Sequence, residues 1–226
     1  MTDSAAPTSA ALGTFDRFST AWLSCLRLVL AHGSPVRDDG LLLREVLNVS
    51  LTASDCIYED LLAAGAEVDR IELMVEKYES MNVLPMYPMS YGRLFREHAG
   101  VDQLDWLIRR LKLRPESKSA TIGFHTPGAD TLSCISLVDC KLRDGRLHLT
   151  GVYRSQNVYA SQPGNAYALR RLQDRIADEL GARTGTLTLH VMSAHIYERD
   201  WDAAERVVSQ SLDGRAAGAS GHDHGA

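Results

Sequence analysis

At 226 residues, with 45% hydrophobic and 23% charged content, the chain is long enough for one large domain with its own core. A formal net charge of -5 excludes the strongly basic surface that a nucleic acid polymer or an anionic membrane attracts. The four cysteines, Cys25, Cys56, Cys134 and Cys140, form no CxxC pair and no disulfide framework, so reduced thiols without structural zinc are expected.

Residues 1–12 are small and polar and carry no basic stretch ahead of an apolar run, so a flexible N-terminus rather than a secretory signal is expected, and with it a cytoplasmic protein. The longest apolar stretch, AWLSCLRLVLA, contains Arg27 and is too short to span a bilayer. In TFDRFSTAWLSCLRLVLAHG, apolar Phe15, Phe18, Trp22, Leu26 and Val29 recur every three or four residues up to Gly33, which predicts an amphipathic helix. LLLREVLNVSLT suits a strand. DQLDWLIRRLKLRPES is again helical, with Leu104, Leu107, Ile108 and Leu111 on one face, Arg109 and Arg110 on the solvated side, and Pro115 as the stop.

CISLVDCKL and RLHLTGVYR then read as two strands joined by RDG, whose Asp144-Gly145 is a strong hairpin signal that pins the register. NAYALRRLQDRIADELG is a helix with Leu169, Leu172, Ile176 and Leu180 inward and Gly181 as cap. TGTLTLHVMSAHIY alternates as a strand, and DWDAAERVVSQSL is a last helix. Residues 13–212 therefore read as one α+β domain, a mixed or antiparallel sheet with helices against it. The tail, residues 213–226, is rich in Gly and Ala and is expected to be disordered, with His222 and His224 free of any fixed metal geometry.

Chemistry concentrates between residues 134 and 165. Cys134 enters the first hairpin strand and Arg154 leaves the second, so the turn makes them neighbours, and a guanidinium beside a thiol favours the thiolate. Cys134 reads either as a small buried hydrophobe or as a nucleophile; Cys25, Cys56 and Cys140 keep the first reading. Arg154-Ser155 is either an exposed turn or a phosphate clamp, a planar donor fork beside a hydroxyl. Asn165 after Pro163-Gly164 is either an N-cap or a carboxamide offered to a heterocycle edge. His195 and Tyr197, two apart on a strand, share a face and reach either each other or sugar hydroxyls.

The set, in this order and at these intervals, resembles the thymidylate synthase family: a cysteine, a hairpin with a DG turn, an RS pair, a PxN asparagine and an AHIY strand. YGRLFR, LDWLIRRLKLRPESKSATIGFHTP and LREVLNV are similar to further family segments, and the resemblance covers roughly residues 37 to 208. It implies a thymidylate synthase-like fold that dimerises through its sheet, and a homodimeric C5 methyl- or hydroxymethyltransferase acting on a pyrimidine nucleotide. In that scheme Cys134 adds to C6, and Glu45 and Tyr91 organise proton transfer. Asn165 reads the base and slightly favours uracil, Arg154 and Ser155 hold the phosphate, and His195 and Tyr197 bind the ribose. The implied donor is 5,10-methylenetetrahydrofolate. The paired arginines that the family donates across the dimer read Lys118-Ser119 here, and Arg37 or Arg114 is the candidate to compensate. The family's folate-contacting aspartate, counted among the substrate-binding positions, is Asn157. Ala160 and Gly164 stand at the other folate contacts, and His125 where the family has tryptophan. Alternatives are a same-fold enzyme with another reaction or no folate, and a non-catalytic nucleotide-binding protein.

Overall fold

The computed structural model describes residues 9–219. β1 (Ala10–Arg17) precedes α1 (Phe18–His32), which leads into a hairpin of β2 (Ser34–Asp38) and β3 (Leu41–Asp55). Four helices follow, α2 (Tyr58–Ala63), α3 (Val68–Glu79), α4 (Tyr91–Glu97) and α5 (Gln103–Leu113), and then the short β4 (Thr121–Gly123). The C-terminal part is β5 (Ile135–Arg143), β6 (Arg146–Tyr153), β7 (Gln156–Asn157), α6 (Gln162–Glu179), β8 (Arg183–Tyr197) and α7 (Trp201–Ala219).

The strands form one mixed sheet in the order β1-β3-β8-β6-β5-β4, with β2 on β3 and β7 on β8. The β5–β6, β3–β8 and β2–β3 pairs are antiparallel, while β1–β3 and β6–β8 are parallel. This is the α+β architecture the sequence predicts. The core lies where α1 and α6 meet one face of the sheet. Phe18, Trp22 and Leu26 from α1 and Leu169 and Ile176 from α6 bury against Leu147, Leu149, Leu187, Leu189 and Val191. Each such side chain stabilises the fold by about 1.5–3 kcal/mol. Trp22 also donates its indole N–H to the Val158 carbonyl at 2.8 Å, so its burial leaves no orphan donor. The alternate residues of the strands, Ser50, Thr52, Thr188 and His190 among them, point to the other face and are only partly covered. No helix among the described residues is long and apolar enough to cross a membrane.

Three boundaries differ from the sequence-based expectation. Residues 10–12, expected to be flexible, and Thr14 to Arg17, expected in the first helix, form β1; their hydrogen bonds come from β3 in parallel, a distant pairing that leaves no local periodicity. α6 begins at Gln162, so Asn165 lies inside the first turn, its N–H donating to the Ser161 carbonyl at 2.9 Å, and is not the N-cap. α7 continues through Ala219, past the tail boundary at 213, because a chain rich in alanine extends an existing helix readily. His222 and His224 lie outside the described residues.

Candidate active site

The β5–β6 hairpin is the foundation of the site. Asp144 and Gly145 both have positive φ, 51° and 68°, as a tight primed turn requires. The register then runs to Leu137 opposite Val152, shifts by one residue at a bulge to set Ile135 opposite Tyr153, and one step further the Arg154 N–H donates to the Cys134 carbonyl at 2.8 Å. The Arg154 side chain folds back over the same segment. Its Nε donates to the Ser133 carbonyl and its Nη2 to the Leu132 carbonyl, both at 2.9 Å. Two of five guanidinium N–H groups are thus engaged, leaving three for a ligand. Cys134 is a free, half-buried thiol.

Cys134 and Arg154 line one cleft of about 320 Å³ together with Lys77, Tyr87, Tyr91 and Asp130. Tyr91 opens α4 and is buried. Its position depends on Gly92, where a Cβ would fall 2.3 Å from the Ser80 carbonyl oxygen and 2.9 Å from that of Tyr78. Only glycine lets α4 start against the end of α3, with Ser90 accepting from the Arg93 N–H at 3.1 Å as the N-cap. Gly92→Ala is therefore expected to lose about 1–3 kcal/mol of stability through overpacking, read as a lower midpoint in urea unfolding; an unchanged midpoint would contradict the contact.

Burial pushes the Tyr91 phenol well above its ordinary range, and its hydrogen bond and charge interaction with Cys134 push it further, so it is a proton donor at neutral pH. Behind the thiol, the Tyr78 and Tyr153 hydroxyls meet at 2.5 Å.

Lys77 went unread in the sequence. It reaches inward from α3 at 6% exposure, beside the Ile71, Met74 and Tyr78 stripe. Its Nζ lies 3.7 Å from the Tyr87 ring centroid and 4.1 Å from that of Tyr91. The available signal was the amphipathic period of residues 68–79, which places position 77 next to the apolar face.

His195 and Tyr197 occupy a separate wing on β8, their rings in an edge contact at 5.1 Å. Burial holds the His195 imidazole below its ordinary value, against the Ser193 carbonyl and Glu45, which pull it up; it is a neutral hydrogen-bonding group at pH 7. Burial and then Asp38 raise the Tyr197 phenol. Glu45 sits opposite His195 across β3 and β8 and accepts a hydrogen bond from the Ser193 hydroxyl. It is not among the residues lining the Cys134 cleft, because its strand register faces it to the histidine wing.

Ser155 is half-buried just after the bend at Arg154. The Asn157 carboxamide is held internally: its oxygen accepts from the Tyr159 and Ala160 N–H groups at 3.1 and 3.0 Å, and its nitrogen donates to Asp200 at 3.2 Å. Asn165 is 4% exposed, and its Oδ1 has no partner among the described residues. A buried acceptor without a donor is costly unless a ligand supplies one. Lys118, Arg37 and Arg114 are exposed and do not line the cleft, while His125 braces the same loop as Arg154, its Nε2 at 3.2 Å from the Ser133 carbonyl.

An α+β fold with a mixed sheet and a thiol at the open end of a central hairpin is the class these features define. The chain belongs to the thymidylate synthase family, whose model matches residues 72–216. It is 35% identical over 214 residues to a protein of Methanothermobacter thermautotrophicus, with 85% of this chain and 96% of the relative aligned. It is 32% identical over 197 residues to one of Methanosarcina barkeri, with 84% and 91% aligned. Both archaeal relatives are provisionally named thymidylate synthases. Family members are in general C5 methyl- or hydroxymethyltransferases of pyrimidine nucleotides, usually dimeric, and usually use 5,10-methylenetetrahydrofolate.

At Asn157 and Gly164, the positions that the resemblance likens to the family's folate contacts, the side chains present leave neither a free donor nor open space for a pterin. Asn157 is bonded internally, and at Gly164 the space a side chain would take is filled by Met74, whose Cβ lies 2.7 Å from an added Cβ. α3 crosses α6 there in van der Waals contact.

Proposed function

We propose that this protein is a C5 methyl- or hydroxymethyltransferase acting on a pyrimidine nucleotide through covalent addition of Cys134. The observation that carries the proposal is Cys134 and Arg154 side by side on a single cleft with Tyr91, in a chain of this family. The Cys134 thiolate forms a bond to C6, the C5–C6 π electrons move toward O4, and C5 becomes nucleophilic. The three free donors of Arg154, with the Ser155 hydroxyl, are suited to the 5′-phosphate. Asn165 meets the base edge with its unpartnered oxygen, taking an N3–H and donating toward the developing charge at O4. His195 and Tyr197 take the ribose hydroxyl, with Glu45 orienting the imidazole through Ser193. Tyr91, hydrogen-bonded to Cys134, is a proton donor beside the sulfur.

The working unit we infer is a homodimer through the partly covered sheet face, which brings Lys118 or Arg37 of one copy toward the other's phosphate. A cytoplasmic location accords with a nucleotide substrate and four free thiols. Incubation with UMP, dUMP, CMP and dCMP, with and without 5,10-methylenetetrahydrofolate, tests the reading by mass spectrometry of the base. A gain of a methyl or hydroxymethyl group supports it; four unchanged bases count against it.

An amide serves both N3–H and O4 of uracil, whereas the cytosine amino group prefers a carboxylate. Asn165→Asp is accordingly expected to move the UMP to CMP preference toward CMP by about tenfold, on the order of one good hydrogen bond. Equal preferences in the two proteins would remove Asn165 from the base edge.

The filled space at Gly164 favours a second reading, the same addition chemistry without a bound pterin. Exchange of the C5 proton for deuterium in the absence of any folate would support it.

A further inference from the structure

Resting on the addition chemistry above, we propose that Lys77 is the proton acceptor of Cys134: its amine takes the thiol proton, and the thiolate–ammonium pair is the reactive form. The lysine is placed for this by the cage that holds it. Tyr87 from the 80–90 segment and Tyr91 from α4 stack on the nitrogen, and the cleft beyond them is lined by Cys134. Among the described residues no carboxylate forms an ion pair with Lys77 and no hydrogen bond engages its nitrogen. Asp130, on the rim of the same cleft, is exposed and makes no ion pair with it.

A buried ammonium needs a compensating charge, and the groups that face it offer few. Tyr78 on its own helix and Tyr153 on β6 are buried phenols bonded to each other and raised by that burial, so both stay neutral. Tyr87 and Tyr91 are raised likewise. Arg154 is a second cation, but its Nε and one Nη2 hydrogen are directed at the Ser133 and Leu132 carbonyls. Cys134 is left as the group that can supply the negative charge from inside the cleft.

The proton affinity of the lysine agrees with this placement. Burial pushes Lys77 down to about 8, with Cys134 pulling it partly back up, so the amine can take a proton near neutral pH. Sulfur gives its proton to nitrogen and forms the bond to C6, while the C5–C6 π electrons move to O4. In the elimination C5 gives its proton to solvent water, its bonding pair restores the C5–C6 double bond, the S–C6 bond breaks and sulfur returns as thiolate to the same ammonium.

The pH dependence of Cys134 alkylation by iodoacetamide, followed peptide by peptide, tests this without nucleotide. Cys25, Cys56 and Cys140 are buried with thiols pushed up to about 12 and serve as silent controls. Lys77→Met is expected to raise the Cys134 midpoint by about one to three pH units, while Lys77→Arg, which keeps the charge, leaves it near wild type but loses turnover. Identical midpoints in wild type and Lys77→Met overturn the proposal. If Lys77→Met does not fold, reductive methylation of Lys77 across pH in Cys134→Ser replaces it. Loss of the thiolate is expected to lower the lysine midpoint, and equal midpoints in wild type and variant overturn the pair. Trapping by a 5-fluoropyrimidine nucleotide separates the two ideas: an adduct with unshifted midpoints rejects Lys77 alone, and shifted midpoints without an adduct reject the transferase reading alone.

Discussion

Cys134→Ser is expected to lower turnover by on the order of 10⁴-fold or more, the scale seen when a covalent nucleophile is removed. A serine hydroxyl cannot ionise at neutral pH, and neither the amine of Lys77 nor the phenol of Tyr91 is basic enough to deprotonate it. Nucleotide affinity, which draws on Arg154, Ser155 and Asn165, stays within a few fold because no charged donor is lost. The covalent adduct with a 5-fluoropyrimidine nucleotide, visible in the intact mass of the wild type, disappears. Turnover of the serine variant within tenfold of wild type would remove the thiol from the reaction.

Arg154→Ala is expected to act twice. It deletes the donors for the phosphate, weakening nucleotide binding by about 10- to 100-fold at roughly 1.5–3 kcal/mol for a charge-assisted hydrogen bond. It also frees the carbonyls of Leu132 and Ser133, which now anchor the segment carrying Cys134. The two effects separate by calorimetric titration of nucleotide against nucleoside. Wild type prefers the nucleotide and the alanine variant loses that preference, while Arg154→Lys regains part of the charge but not the paired carbonyl bonds, since an ammonium lacks the planar fork. An unaltered preference in Arg154→Ala would place the phosphate elsewhere.

The hairpin was legible because it is local: Asp144-Gly145 sets a turn that fixes every pair up to Leu137 and Val152, whereas the bulge at 135–137 that brings Cys134 level with Arg154 leaves no mark in the chain. The His195 and Tyr197 wing was legible for a similar reason, a strict two-residue alternation on one strand. β1 was not, since its partner β3 is distant and a parallel pairing imposes no pattern on Ala10–Arg17 itself. Glu45 was assigned from resemblance alone, and only the register of β3 against β8 reveals that it faces His195. Lys77 was hidden because a lysine is ordinarily solvated, and its burial follows from Tyr87 and Tyr91, which reach it from segments of chain beyond its own helix. The Asn157 and Gly164 substitutions could be seen in the chain, but what they do could not: one closes a turn of its own, and the other admits Met74.

The hydroxyl contact between Tyr78 and Tyr153 fastens α3 to β6 underneath the sulfur. The floor of the cleft is thereby one clamped piece, helix and hairpin together. Traffic of ligands falls instead to the irregular stretches at 80–90 and 124–134, which form the walls. Amide hydrogens in those two stretches are expected to exchange with solvent faster than those of β6 and to slow on nucleotide binding, so that the timing of admission is set by the walls while the reacting groups hold still.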